Sequence, residues 1–271
     1  MGDDGNGQVD YVIDPVTVEV IRRRLVAISD EVDVNITRTA FSPYIYEYKD
    51  YAVGIVDAKG DLICQCTAGM PVFVADVMRA AVQDGLQLYG PDKLHDGDIV
   101  VTNYAGTIGQ HLNNVTMYTP IYASQPPSLV GFMVVVMHWI DVGGTSTGFG
   151  AGPQVADPWL EGLQLDQLKV HEEGKPNELL IKIIRDNIRF PDGSLGDMRS
   201  QIAGCKLAHR RLDELFARFG RDTFLSAIQQ IYAESEAKCR RIVKQIPNGV
   251  YEAESFMDGG GIIGPDVRLH A

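Results

Sequence analysis

The stretch 131-GFMVVVMHWIDVGG-144 decides how this chain is expected to fold. Its six consecutive apolar residues, preceded by a glycine, indicate a strand that is covered on both faces. The run ends on His138 and reaches Asp141 before two glycines. Two interpretations of that polar end are open. It is either a simple strand cap and turn, or a metal site at the end of a strand.

Composition restricts the class of protein. A length of 271 residues suits one large domain or two modest ones, and 45% hydrophobic residues can build a sizeable core. The net charge of −12 disfavours binding to nucleic acid or to an anionic membrane. Nothing approaches the roughly 18 apolar residues of a membrane span. With four cysteines and an N-terminus unlike a signal peptide, we expect a cytoplasmic protein.

The N-terminal third predicts helices around a hairpin. Residues 1–13 are acidic and glycine-rich, and we expect a disordered lead there. In the segment 14–97, Asp14 is a good N-cap for a long amphipathic helix with Pro15 in its first turn. The stretch YAVGIVDAKGDLICQC then predicts a β-hairpin, and a second helix is expected within residues 72–90.

The rest of the chain predicts a sheet followed by helices. Residues 98–170 are rich in β-formers and contain a glycine-rich loop that must wrap something or move. Residues 171–247 predict helices, the last two forming a hairpin whose apolar residues, Ile242 among them, pack together. Residues 248–271 resemble the start of a further β segment. The expected fold class is α+β, with an N-terminal helix, a mixed or antiparallel sheet, and a C-terminal helical hairpin.

Two of the six histidines stand out. His111 follows a glycine-punctuated loop before one predicted strand, and His138 ends the next. If these strands are neighbours, the imidazoles meet at one edge of the sheet. Asn114 and Asp141 could ligate a metal or orient a ring, and Asp50 could add an anionic ligand. From spacing alone, a hydrogen-bonded structural histidine is favoured over a ligand.

An ordered set of sequence motifs favours the metal-ligand interpretation over the structural one. DPVTVEVIRRRL, RTAFSP, HLNNVTMYTPIY, HWIDVGG, EGL and GDMRSQIAGCKLAHRRLDEL follow one another along the chain. Together they resemble the N-terminal part of the hydantoinase B / 5-oxoprolinase family. That family includes N-methylhydantoinase B and the acetone and acetophenone carboxylase large subunits. The resemblance covers nearly the whole chain and about the first half of a family member, so we expect an incomplete part of a longer polypeptide.

The resemblance implies a metal site. The family signatures are N-D-P-Y-x-G-G-T-H-L-P-D and H-H-x-D-V-G-G. The resemblance implies that His111, the residue at 114 and His138 bind a divalent zinc, manganese or iron ion, with Asp50 as another candidate ligand. The residue at 114 is Asn where the family usually has Asp. This departure removes a negative charge and weakens a site for a hard cation.

The same signatures supply the other candidates. Asn103 and Asp141 match polar positions of the two signatures and are the catalytic candidates. Gly143 and Gly144 match the end of the second signature and are candidates for substrate binding. Trp139 replaces the second histidine, and its flat ring could stack on an aromatic substrate.

The resemblance also implies an activity. Family members couple ATP hydrolysis to opening a cyclic amide or to carboxylating a ketone. This chain has no G-x-x-x-x-G-K-[ST] motif, so ATP and Mg²⁺ are expected on a hydantoinase A-like partner subunit. We rank a cyclic-amide hydrolase subunit slightly ahead of a ketone carboxylase subunit. The alternative from another class is a non-catalytic assembly subunit that has lost its metal.

Overall fold

A computed structural model describes residues 13–123, 127–147, 157–257 and 267–270. The predicted disordered lead therefore lies outside the described residues, except for Ile13. Residues 148–153 of the predicted glycine-rich loop also lie outside them.

The first helix forms as the sequence predicts. Helix α1, Pro15–Thr39, is capped by Asp14, whose carboxylate accepts a hydrogen bond from the backbone N–H of Thr17 at 3.0 Å. Its apolar residues recur at helical spacing and form one buried stripe: Val18, Ile21, Leu25, Ile28 and Val32. A short helix α2, Pro43–Tyr46, follows and is capped by Ser42.

Seven strands form one sheet in the order β2-β1-β5-β4-β3-β6-β7. Every neighbouring pair is antiparallel, and the predicted hairpin is the pair β1–β2. The strand with the quoted apolar run, β5, lies between β1 and β4. The bounds are β1 Tyr51–Asp57, β2 Leu62–Gln65, β3 Ile99–Thr102, β4 Asn114–Ala123, β5 Ser128–His138, β6 Leu168–Glu172 and β7 Lys175–Pro176.

Both faces of the sheet are covered, as the apolar run of β5 predicts. Val135 and Met137 face a core shared with α1 and the C-terminal helices. Val134 and Val136 face a second core beneath a π-helix, Phe73–Val77, and helix α3, Met78–Tyr89. Successive side chains of a strand point to opposite faces, so one continuous apolar run supplies both cores. Each buried valine contributes roughly 1.5 to 3 kcal/mol.

The C-terminal helices pack behind the sheet. Helix α6 spans Glu178–Asp186, α7 spans Pro191–Phe219 and α8 spans Arg221–Val243. Helices α7 and α8 are joined at Gly220, whose φ of 75° suits glycine, and their apolar residues meet there. The predicted packing of Ile242 is wrong, because the second half of α8 extends past the core and leaves that side chain 51% exposed.

Two short helices and a terminal hairpin complete the fold. Helix α4 spans Ala105–Ile108 and α5 spans Pro158–Glu161. Strands β8, Glu254–Met257, and β9, Val267–His270, pair antiparallel, in agreement with the predicted further β segment. The structure draws strands from residues 14–97 and 98–170 into one sheet, and the predicted boundary after residue 170 falls inside β6.

Within the described residues, no helix is both long enough and apolar enough to cross a bilayer.

Candidate metal centre

Three of the predicted ligand positions form a row across one end of the sheet. His138 is the last residue of β5 and lies directly opposite Asn114, the first residue of β4. On the other side, the backbone N–H of His138 donates to the carbonyl of Asp50 at 3.0 Å. The register Tyr51–Met137 continues by one residue to this pair. Residues directly opposite one another share a face of the sheet, so Asp50, His138 and Asn114 line up on the same face.

A tight turn adds His111 to this row. The chain leaves α4 through Gly109 in the left-handed conformation, with φ at 70°. The backbone N–H of Asn114 then donates to the carbonyl of His111 at 3.1 Å, which closes the turn. The ring centroids of His111 and His138 are 4.9 Å apart. The prediction that the two imidazoles meet at one edge of the sheet is confirmed.

An aromatic ring lies against the histidine pair. The ring of Tyr44, in α2, is 5.0 Å from the ring of His138, centroid to centroid. Ser42 accepts a hydrogen bond from the backbone N–H of Tyr44 and fixes the start of α2. The carboxylate of Asp197 accepts from the backbone N–H of Ser42 at 3.1 Å and ties this segment to α7.

Burial keeps the two imidazoles neutral. It lowers the pKa of His138 to about 4, and a positive charge on the neighbouring His111 would lower that pKa further. Burial also lowers the pKa of His111, against an opposing effect of the Glu161 carboxylate. Burial raises the pKa of Asp50. Neutral imidazole is the form that binds metals, so both rings are in the ligating state near pH 7.

Asn114 offers a free acceptor to this site. Its side chain is 5% exposed, and its Nδ2 donates to Oε1 of Gln110 at 2.8 Å. The Oδ1 atom is buried and accepts no hydrogen bond from any described residue. A buried oxygen without a donor is costly unless a water or an ion supplies the missing contact. The amide oxygen is therefore available to a water or a cation.

These residues fit a divalent metal of a particular kind. Two imidazole nitrogens and an amide oxygen, with Asp50 beside them, suit a cation that accepts nitrogen and neutral oxygen ligands. Across the described parts of the chain, however, no three or more His, Cys, Asp or Glu side chains form a group that could hold a metal ion. The metal itself stays a prediction.

Asn103 connects the histidine turn to the segment after α5. Its Nδ2 donates to the carbonyls of Leu112 and Leu163 at 2.8 and 2.9 Å, and its Oδ1 accepts from the backbone N–H of Leu165 at 2.7 Å. These bonds occupy both ends of the amide. Asn103 therefore acts on the site through the turn that carries His111, as a positioning residue.

Asp141 is likewise held by its own neighbourhood. The side chain is fully buried, and its carboxylate accepts from the backbone N–H groups of Gly143, Arg189 and Phe190. The Arg189 guanidinium lies 3.3 Å from the same carboxylate. Because α7 begins at Pro191, Asp141 ties the end of β5 to the start of α7. This arrangement supports a positioning role rather than direct catalysis.

The two glycines shape the turn after β5. Gly143 and Gly144 both have positive φ, 92° and 72°. A Cβ at Gly144 would lie 2.3 Å from the carbonyl oxygen of Glu161, closer than any real contact. Only glycine allows this backbone conformation and approach together. Their predicted contact with substrate stays a prediction.

Trp139 is not part of the site surface. It follows His138 directly, so its side chain points to the opposite face of the sheet. The ring is fully buried in the α1–α7 core, and its Nε1 donates to Oε1 of Gln201 at 2.7 Å. The prediction that Trp139 stacks on a substrate ring is contradicted by this burial.

Three further residues surround the site. Tyr44 packs on His138, Gln110 orients Asn114, and the Glu161 carboxylate lies close enough to His111 to affect its pKa. Glu161 belongs to the EGL motif that supports the family resemblance. That motif is the one signal by which the sequence could have indicated Glu161 as a site residue. Tyr44 and Gln110 precede the ligand positions by six and one residues in the chain, without a motif of their own.

The fold recurs in two solved structures. The crystal structure of an ATP-dependent caprolactamase from Pseudomonas jessenii superposes with a TM-score of 0.82 at 24% identity, over 92% of this chain and 42% of that one. A nucleotide-free acetone carboxylase superposes with a TM-score of 0.81 at 22% identity, over 90% of this chain and 32% of that one. At these identities the likeness establishes a shared fold.

The sequence establishes the family. Residues 14–271 match the family model described as hydantoinase B/oxoprolinase, and the chain belongs to that family. It is 29% identical over 253 residues to one subunit of a putative D-/L-hydantoinase of Pseudomonas sp. strain NS671. That alignment covers 91% of this chain and 42% of the relative, so the chain spans less than half the length of that curated protein.

Proposed function

We propose that this chain is the metal-bearing part of an ATP-dependent enzyme that opens a cyclic amide, of the hydantoinase/5-oxoprolinase type. The observation that carries the proposal is the row Asp50, His138, Asn114 with the His111 ring against it. Two buried neutral imidazoles beside an amide oxygen that accepts no hydrogen bond from any described residue favour a shared cation over two purely structural histidines.

Each residue then has a role in the proposed centre. His111, His138 and Asn114 would hold a divalent zinc, manganese or iron ion, with Asp50 as the anionic ligand. Such an ion, when bound, polarises a carbonyl oxygen or lowers the pKa of a bound water. The hydrogen bonds of Asn103 and Asp141 hold the two turns in place. Tyr44 covers one side of His138 and excludes water from it.

An amide substrate is favoured over a ketone. The relative with 29% identity is described as part of a hydantoinase, and hydantoins are cyclic amides. The acetone carboxylase structure shares 22% identity, which supports the fold and not the substrate. The main support for an aromatic ketone substrate was the predicted stacking of its ring on Trp139. That side chain is buried on the other face of the sheet. Ketone carboxylation therefore remains the alternative enzyme activity.

We also propose that ATP and Mg²⁺ bind to a partner. The chain carries no phosphate-binding G-x-x-x-x-G-K-[ST] motif. The hydantoinase relative is described as one subunit of its enzyme, and this supports a complex with a hydantoinase A-like subunit that binds the nucleotide. The complex would be cytoplasmic.

One observation favours a second, non-catalytic candidate. Asn114 removes a carboxylate from the ligand set, and the described residues contain no group of three acidic, cysteine or histidine side chains around a cation position. A subunit that keeps the fold and serves only assembly would leave the same pattern.

Metal content and turnover of the purified complex test the proposal. We expect about one zinc, manganese or iron per chain by elemental analysis. ATP hydrolysis is expected to be stimulated by hydantoin, 5-oxoproline or caprolactam without added bicarbonate. Stimulation by acetone or acetophenone that requires bicarbonate would select the carboxylase alternative. A complex without stoichiometric metal would refute the metal centre and leave the assembly role.

A further inference from the structure

Glu161 holds the turn that carries His111. The Oε2 atom of Glu161 accepts a hydrogen bond from the backbone N–H of Leu112 at 2.8 Å. The carbonyl of Leu112 accepts from Nδ2 of Asn103 at 2.8 Å. Both backbone groups of the residue after His111 are therefore fixed by side chains, so the backbone that carries the imidazole is held in place.

The position of Glu161 is itself fixed by the turn after His138. The backbone N–H of Thr145 donates to the carbonyl of Leu160 at 2.8 Å, and that of Leu163 donates to the carbonyl of Val142 at 2.8 Å. These two bonds bracket Glu161 and hold it against the turn that follows β5. Glu161 thus connects the turn beside His111 with the turn beside His138.

The charge of Glu161 reaches the site. Its carboxylate holds the backbone of Leu112, the residue after His111, through its Oε2 atom, so the negative charge lies beside the histidine turn. At the position that faces His138, the chain has Asn114 and no charge. A divalent cation there would meet two neutral rings, a neutral amide and Asp50.

We propose that Glu161 is a positioning residue of the metal centre, which orients His111 and supplies from outside the ligand set the negative charge that Asn114 lacks. This inference rests on the proposed metal centre. Carboxylates hydrogen-bonded around a ligand shell commonly change metal affinity by about 10- to 100-fold without touching the metal. Glu161 acts from outside the ligand set, because its Oε2 atom is engaged by the backbone N–H of Leu112.

The test compares matched charge losses in the purified protein or its complex. Glu161→Gln keeps an oxygen that can accept the Leu112 hydrogen bond and removes the charge. The control Glu252→Gln removes the same charge from an exposed residue beyond α8. Zinc affinity is measured by competition with a chelator, and thermal stability by the midpoint of unfolding. We expect Glu161→Gln to weaken zinc binding about tenfold at an unchanged midpoint, and Glu252→Gln to change neither.

A compensating variant separates charge from packing. Asn114→Asp restores a carboxylate at the strand position, so we expect it to strengthen zinc binding. In the Asn114→Asp background, Glu161→Gln is then expected to cost clearly less affinity than in the wild type. Such a non-additive result is the mark of two groups that act on one cation. A residue that only supports the turn would cost the same in both backgrounds.

The outcomes distinguish this inference from the proposed function. If the wild type binds zinc and Glu161→Gln binds it equally well, the role of Glu161 is refuted and the metal centre stands. If Glu161→Gln weakens binding only together with a lower unfolding midpoint, and equally in both backgrounds, its role is structural and the inference is again refuted. If the wild type binds no zinc, iron or manganese, the metal centre fails and the inference fails with it.

Discussion

The molecule contains two histidine pairs in opposite surroundings. His111 and His138 are packed against each other at the end of the sheet, and His138 is 1% exposed. His95 and His209 lie on the surface among carboxylates, with side chains 49% and 25% exposed. The Nε2 atom of His209 is 3.3 Å from Asp96. Counted by acidic neighbours alone, the surface histidines would rank first for a cation, although no described group of three such side chains could hold one.

Exposure to solvent reverses the ranking of the two histidine pairs as cation sites. Exposed ion pairs contribute about 0 to 1 kcal/mol because water and salt screen them. Water therefore already solvates the surface carboxylates. At the buried pair, desolvation keeps both rings neutral and Asn114 presents an oxygen that no described donor satisfies. A useful site is therefore indicated by buried neutral rings beside an oxygen that accepts from no described donor, and not by the number of charges nearby.

The largest difference between the two pairs is expected when one imidazole ring is removed from each of them. We expect His138→Ala to weaken zinc binding by about 100-fold or more, beyond the usual effect of outer-sphere changes. His209→Ala is the matched control and should leave zinc affinity unchanged. Both are measured by chelator competition, with circular dichroism to verify the fold. Equal losses in the two variants would show that the buried pair is not the zinc site.

Stability at acidic pH gives the second test. The pKa of His138 is lowered to about 4 in the folded protein, against about 6.5 in the unfolded chain. Between these values the unfolded chain binds the proton and the folded protein does not, so stability is retained above pH 6.5 and lost as the pH falls toward 4. Without metal, this residue should reduce the free energy of unfolding by roughly 2 to 3 kcal/mol between about pH 7 and pH 4.5.

The measurement is urea unfolding at several pH values. His138→Gln should lose that part of the pH dependence, whereas His209→Gln should retain it. A wild-type slope that survives in His138→Gln would mean that another group causes the loss of stability.

The smallest expected effect is that of replacing Trp139, the residue that directly follows His138. Trp139→Phe leaves Oε1 of Gln201 without its donor and opens a small cavity, so we expect a loss of about 2 kcal/mol in the free energy of unfolding. Zinc affinity should be unchanged, because the ring lies on the other face from His138. Chemical unfolding and chelator competition on the same preparation measure both quantities. A variant with normal stability and weakened zinc binding would return Trp139 to the site.

Much of the site is predictable from sequence, and the errors have clear causes. The sequence predicts His111, His138, Asn114 and Asp50 together, and the structure brings them to one end of the sheet. The prediction for Trp139 is wrong although strand alternation already separates it from His138. A motif match compares residue types and does not register which face of a strand they occupy.

The positioning residues are harder to predict. Asn103 and Asp141 match the signatures as catalytic candidates, yet their hydrogen bonds are made with backbone groups up to 62 residues away. Glu161 and Tyr44 approach the site from α5 and α2, short helices of four residues. No periodic pattern in a single sequence reports such long-range contacts.

By itself, the sequence determined the long first helix, the strand with the apolar run and the family. Apolar spacing specified α1 and the doubly covered strand β5, because burial requires a helical or strand period. The ordered motifs specified the hydantoinase B/oxoprolinase family. Only the tertiary structure decided which polar residues meet, because strand order and register place β1, β5 and β4 side by side. Burial, which no local pattern encodes, then makes His111 and His138 neutral ligand candidates and leaves His95 and His209 as surface residues.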